Sequence, residues 1–213
     1  MNIHSVAPTA VASRKNRPDP VPGAKRDAIL RAAIDVFADR GFFNAQVADV
    51  ARAAGVAAGT VYLYFRGKDD LLVSIFERTM KDALARVRSS VAETTDPAER
   101  LRRFARLHLG GLGRDRNLAI VFQVELRQST KFMERFPSTF LRDYLGMIRE
   151  AIEDGQRTGQ FRADVKATVA AKVFFGVLDE MATNWILSRR RYSLEADTDA
   201  VVDLFLNGAT ARK

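Results

Sequence analysis

From Lys25 onward the chain repeats one device, a stripe of apolar residues at helical spacing closed by a glycine. In KRDAILRAAIDVFADRG the side chains of Ile29, Leu30, Ala33, Val36 and Phe37 share one stripe, and Gly41 stands at the stop. The shorter QVADVARAAG ends the same way at Gly55, a residue suited to a turn that needs positive φ. GVAAGTVYLYF then supplies a third short helix, beginning near Ala57. Lys68 to about Val91 reads as a long helix with Leu71, Leu72, Ile75, Phe76 and Met80 on its inner face. DPAE marks the next start, with Asp96 as N-cap, Pro97 at the first helical position and Glu99 two residues further on, and that helix runs to the glycines at 110, 111 and 113. NLAIVFQVEL is apolar nearly all round and predicts a buried helix. A further helix is expected from about Lys131 to Thr158, with Pro137 in its first turns and Gly159 at its end. VKATVAAKVFFGVLDEMATNWILSRR and EADTDAVVDLFLNG complete the series. No strand alternation or internal repeat interrupts it, so the expected fold class is all-α with about nine helices. The expected organisation is an arm at 1–23, a unit of three short helices at 24–67 and a larger helical domain at 68–213; four of the six prolines fall in residues 1–23, which marks the arm as flexible.

Composition narrows the chemistry. There are no cysteines, which excludes disulfides, thiol catalysis and thiolate metal sites, and two histidines, His4 and His108, are too few for a multi-histidine metal centre. No apolar run approaches the roughly 20 residues of a membrane span, and the N-terminus lacks the charged-then-apolar pattern of a secretory signal; a cytoplasmic protein without membrane partners is expected. The net charge of +8 points to a polyanionic partner. Its distribution is uneven: residues 1–26 hold five bases and one acid, residues 27–75 five and six, and residues 76–213 twenty-four and nineteen. The unit of three short helices is therefore not itself basic.

Two short helices joined through Gly55, the second aimed outward, satisfy the spacing of a helix-turn-helix, although helical hairpins with a turn glycine also occur in bundles. The whole stretch GFFNAQVADVARAAGVAAGTVYLYFRGKDDLL resembles the DNA-binding domain of TetR-type transcriptional regulators, from the glycine and aromatic at Gly41 and Phe42 to the Lys68 that opens helix four. The resemblance covers residues 25–72. It implies a homodimer whose third helices enter successive major grooves of an inverted-repeat operator in double-stranded DNA, roughly 34–36 Å apart. Carried over by position, Thr60, Tyr62, Tyr64 and Lys68 become phosphate or sugar contacts; Ala57, Ala58, Gly59 and Leu63 line the base edges; and Gln46, ahead of helix two, joins the DNA-facing set. Three positions depart from the family pattern. Ala45 replaces a capping Thr, leaving Asn44 as the alternative cap for helix two; Ala57 replaces a capping Ser; and Ala58 replaces a Lys. The basic arm of Arg14, Lys15 and Arg17 offers either a minor-groove contact or non-specific attraction.

Further along, NLAIVFQVELRQS and FGVLDEMATNWIL are similar to the branch of that family that represses fatty-acid degradation genes. This implies a transcriptional repressor released by a long-chain acyl-CoA effector, with no other cofactor and a dimer built on the last two long helices. Phe122, Leu126, Tyr144, Phe174, Phe175, Leu178, Met181 and Trp185 are the candidates for a tunnel around the acyl chain, or else ordinary core. Burial is worth roughly 0.8 kcal/mol per methylene. For the phosphates, Arg100, Arg102, Arg103, Arg106, Arg114 and Arg116 lie near the glycine-rich loop, with a solvated helix face as the plainer reading. Arg189, Arg190 and Arg191 read as solvated. Gln123, Glu125 and Arg127 are the polar residues of an apolar helix; ligand contact or a network reaching Asp179 or Asn184 would satisfy them. His108 reads as an ordinary helix residue. Glu125, Asp179 and Glu180 among aromatics leave a cationic drug as the rival effector. An acyl-CoA enzyme lacks any nucleophile–base–orienter set, and a sequence-indifferent nucleic-acid binder would rest on charge alone.

Overall fold

The computed structural model describes residues 22–125 and 138–209, which form nine α-helices. These are α1 (Pro22–Arg40), α2 (Val47–Ala53), α3 (Ala58–Tyr64), α4 (Lys68–Ala92), α5 (Pro97–Gly113), α6 (Arg116–Gln123), α7 (Ser138–Arg157), α8 (Ala167–Leu187) and α9 (Thr198–Ala209). The all-α expectation holds. α1 starts at Pro22, inside the segment expected to be arm, because a proline at the first helical position forfeits no intrahelical bond. The expected long helix through Leu126 instead turns at Val124; Leu126, Arg127 and the expected helix start near Lys131 lie outside the described residues, as does the basic arm.

The turn between α2 and α3 is a Schellman closure: the Val56 amide donates to Ala51 at 3.0 Å and the Gly55 amide to Arg52 at 3.2 Å, with Gly55 at φ +68°. Gly41, at φ +75°, ends α1 in the same left-handed conformation. Asn44 does not cap α2. Its side-chain amide donates to the carbonyl of Arg40 at 3.2 Å and so serves the end of α1, while Asp49, in the first turn of α2, accepts the Gln46 amide at 3.1 Å. Asp96 caps α5 as its sequence predicts, accepting the Ala98 amide at 3.2 Å.

Two apolar cores result. The first gathers Ile29 and Phe37 of α1, Val50 of α2, Val61 of α3 and Phe65, and is completed by Leu71, Leu72 and Ile75 of α4 and Val121 of α6. The second is built by the rest of α4 with α5, α7, α8 and α9. The core of the small unit therefore reaches past residue 67. Phe76 and Phe122 pack against both cores and stack on each other with centroids 5.6 Å apart.

Lys68 differs from its expected role. Its ammonium donates to the carbonyls of Phe42 at 3.0 Å, Phe43 at 2.8 Å and Ala45 at 3.3 Å, and lies 4.8 Å from the centroid of the Phe42 ring. All three donors of an ammonium are thereby used inside the protein, which removes Lys68 from the phosphate contacts and makes it the clamp between α4 and the α1–α2 turn. Lys68→Ala is expected to destabilise the fold by on the order of 2 kcal/mol, the scale of a charged hydrogen-bond set. Denaturant unfolding checks this; unchanged stability with weakened DNA binding would return Lys68 to the phosphate role.

Candidate DNA-facing surface and ligand cavity

α3 is short and anchors itself through one fully buried side chain, Val61. That leaves Ala57, Ala58 and Gly59 exposed at its start, with Leu63 82% and Tyr62 57% exposed beyond them. Thr60 and Tyr64 are half-buried on the flanks, and Gln46 is exposed at the head of α2. A tyrosine and a leucine this exposed have no core function, since neither packs against the domain that carries them. Ala57 is the N-cap of α3 and supplies no side-chain oxygen, so no side chain covers the first amides of the helix. The surface has the composition of a helix that fits closely into a groove, with small residues at its tip and hydroxyls at its edges.

The second core contains a cavity of about 570 Å³, within the range of small-molecule sites. α4 contributes Phe76, Met80 and Ala83 to its walls, α6 Phe122 and Gln123, α7 Leu141, Tyr144 and Leu145, and α8 Ala171 and Phe175. Four of the expected ligand residues, Phe122, Gln123, Tyr144 and Phe175, thus meet around one space. The ends differ in charge. Exposed Arg142 and Arg149 of α7 and Lys172 of α8 lie at one end, while Asp179 lies further along α8, about 10 Å of helix from Lys172. Asp179 accepts from the Gln123 amide at 3.1 Å, and the Thr183 hydroxyl donates to the Gln123 carbonyl at 3.3 Å. The expected network to Asp179 therefore starts from Gln123.

Several expected assignments are displaced. Phe174 belongs to the packed core, 4.8 Å from the Phe205 centroid, and Leu178 is fully buried there. Met181 packs against the same core and does not line the cavity. Trp185 donates its indole N–H to the Tyr192 carbonyl at 2.9 Å and is covered by the Arg116 guanidinium at 5.0 Å, a structural post at the end of α8. The arginines read as phosphate ligands are mostly engaged: Arg106 with Asp199 at 2.9 Å, Arg100 with Asp154 at 2.7 Å, Arg102 with Asp203 at 2.8 Å and Arg103 with Glu93 at 2.8 Å. The solvated-face reading holds for these, because α5 faces acids of α4, α7 and α9. The cavity's own cations were missed, although Arg142 and Arg149 sit seven residues apart beside Leu141 and Leu145.

Family-model comparison matches residues 29–75 to the bacterial regulatory proteins of the tetR family and residues 76–208 to the C-terminal region of YsiA-like proteins. The chain is a member of the TetR family. It is 34% identical to the fatty acid metabolism regulator protein of Bacillus subtilis over 84% of this chain and 93% of that one. Among solved structures it superposes on the fatty acid degradation regulator FadR of Bacillus halodurans with a TM-score of 0.79 at 39% identity, covering 85% of this chain and 98% of the other. FadR of Bacillus subtilis in complex with stearoyl-CoA gives 0.80 at 33% identity with the same coverage. The TetR family consists of transcriptional regulators, not enzymes.

In this TetR-family chain α6 ties the two parts together. The buried Glu125 carboxylate accepts the backbone amide of Phe42 at 2.7 Å, and Asn117 donates to Asp35 of α1 at 2.8 Å. Asp35 also pairs with Arg31, which reaches Asp115 at the start of α6; the hydrogen bond from Arg31 holds the Asp35 carboxyl below the usual carboxylate range. Arg116 donates to the carbonyls of Trp185 at 3.1 Å and Ile186 at 2.7 Å, closing the end of α8. Glu125 is thus spent on the DNA-binding unit and does not face the ligand space.

His108, expected to be an ordinary helix residue, lines the cavity. Its Nδ1 lies 3.0 Å from the Tyr144 hydroxyl, and its Nε2 is sealed from solvent with no partner among the described residues. Desolvation pushes its pKa down to about 4 and pushes the Tyr144 phenol up. A histidine held neutral in the fold but protonated in the unfolded chain makes stability fall as pH drops from about 6.5 towards 4. The expected loss is on the order of 3 kcal/mol per protomer. Denaturant unfolding from pH 7 to pH 4 should show this loss in the wild type and a much flatter profile in His108→Gln; parallel profiles would contradict the assignment.

Proposed function

We propose that the protein is a homodimeric, cytoplasmic repressor of fatty-acid degradation genes. It binds an inverted-repeat operator through α3 and leaves it when a long-chain acyl-CoA enters the cavity. The observation that carries this reading is the polarity of the cavity: aromatic and aliphatic walls, cations at the exposed end and no acid there among the lining residues. An amphiphile with a long apolar chain and an anionic head fits that arrangement. At roughly 0.8 kcal/mol per methylene, a sixteen-carbon chain gains on the order of 10 kcal/mol from burial. The relatives support it, since one regulates fatty acid metabolism and another was solved with stearoyl-CoA. The rival cationic drug loses ground on two of its three acids: Glu125 serves the Phe42 amide, and Glu180 is exposed and bonded to Asn184.

Dimerisation through α8 and α9 is supported by an apolar stripe left uncovered on the single chain. Val169, Val173 and Val177 repeat every fourth residue of α8 at 50%, 53% and 38% exposure, and Leu204 of α9 is 76% exposed. A second copy covering this stripe would fix the separation of the two α3 helices.

Switching follows from elements that belong to both cores. α4 runs from the Lys68 clamp to the cavity wall at Phe76, Met80 and Ala83; α6 runs from its links with α1 to Phe122 and Gln123. A chain that displaces Phe76 and Phe122 shifts both helices under the DNA-binding unit. Coupling of about 1–3 kcal/mol, or roughly 5–150-fold in operator affinity, is the ordinary range. Gel shift with DNA from upstream of the protein's own gene tests the reading. Long-chain acyl-CoA should release the DNA, whereas lipophilic cations should not. Thr60→Ala and Tyr62→Phe should weaken binding uniformly across operator variants, and changes at Ala58 should alter base preference. Release by cations alone, or unchanged base preference at Ala58, would contradict it.

A further inference from the structure

The α7 wall of the cavity also borders a second depression. This groove, of about 490 Å³, lies between the C-terminal half of α4 and α7, and its lining includes the guanidinium-bearing Arg88, Arg100, Arg142 and Arg149. Arg142, Gly146 and Arg149 line both spaces. Spacings of four and three residues put them on one face of α7. A Cβ built at Gly146 would meet nothing within 4 Å, so the ridge between cavity and groove is a saddle free of side chain, flanked by two arginines.

The groove is cationic on balance. Asp143 and Glu150 also line it, against four arginines. Arg100 is held by Asp154 at 2.7 Å and by the Thr94 carbonyl at 3.0 Å, and Arg88 approaches Asp143 at 3.4 Å. Arg142 comes only within 3.9 Å of Asp143 and Arg149 within 3.4 Å of Glu153, and the two side chains are 72% and 45% exposed. Each guanidinium has five N–H donors, so both keep donors for a bound anion.

We infer that this groove holds the phosphate-bearing head of the ligand whose acyl chain fills the cavity, with the linking arm lying across Gly146. The inference rests on the acyl-thioester reading of the cavity. An apolar chain can occupy the cavity only if its charged end stays in contact with water or cations, because burying phosphate among aromatic walls is prohibitively costly. Of the two exits marked by cations, the α7 side continues into a walled groove with paired guanidinium groups, which suit phosphate oxygens better than the lone ammonium of Lys172 on α8.

The test is isothermal titration of the full-length protein with two ligands, a long-chain acyl-CoA and the uncharged N-acetylcysteamine thioester of the same acid. Arg142→Gln with Arg149→Gln, and separately Gly146→Trp, should weaken acyl-CoA binding roughly ten- to hundredfold. They should leave the uncharged thioester unaffected, and the arginine variant should flatten the salt dependence of acyl-CoA binding. Lys172→Gln should have the smaller effect. Equal losses for both ligands, or a loss confined to Lys172→Gln, would overturn the groove assignment and leave the cavity reading standing. Failure of both ligands to bind the unaltered protein would overturn the acyl-thioester reading and the groove with it.

Discussion

The contact between the Glu125 carboxylate and the Phe42 amide joins the two halves of this protein at the point where each is least able to yield. Gly41 has just ended α1 in a left-handed conformation, and the next amide has no helical partner. A buried carboxylate leaving that amide would strand two polar groups away from water, each at a cost of about 1–3 kcal/mol or more. The same short α6 places Val121 in the core of the DNA-binding unit and Phe122 against both cores. Neither unit is closed without it. The fold therefore cannot separate DNA contact from cavity shape, because one helix helps to set both.

α4 repeats the arrangement from the other side. Its first turn is fixed by Lys68 to the carbonyls of the α1–α2 turn, its next turns complete the small core, and its middle lines the cavity. The stacked Phe76 and Phe122 rings are where α4 and α6 meet. A change in cavity occupancy is felt first there, since close-packed interiors transmit displacement instead of absorbing it. This gives the proposed switch a physical route through two helices with defined attachments. It also explains why α3 itself needs only Val61 as a buried anchor: its position is inherited from the helices beneath it.

The helices were legible because each carries its own period and punctuation: Gly41, Gly55 and Gly159 all stand at positive φ where sequence placed the stops, and Asp96 caps where DPAE predicts. The DNA-facing residues were legible for the same local reason. What failed involved partners distant in sequence. Lys68 has the look of a phosphate ligand until three carbonyls from residues 42–45 surround it. Arg106 and its neighbours look available until acids of α9 and α7 arrive. His108 is one of two histidines and has no local signal; only the approach of Tyr144 and Phe175 from other helices makes its ring part of a cavity wall. Half of the aromatic candidates reached the cavity and half became core, a division that helical spacing alone does not make.

The central claim is that cavity and DNA-binding surface share one equilibrium, and reciprocity tests it most directly. If acyl-CoA lowers operator affinity by some factor, operator must lower acyl-CoA affinity by the same factor. Titration of a long-chain acyl-CoA into the free protein and into its operator complex measures this. The account predicts weaker binding to the complex, by the factor that gel shift gives for DNA release; identical affinity in both titrations would contradict it.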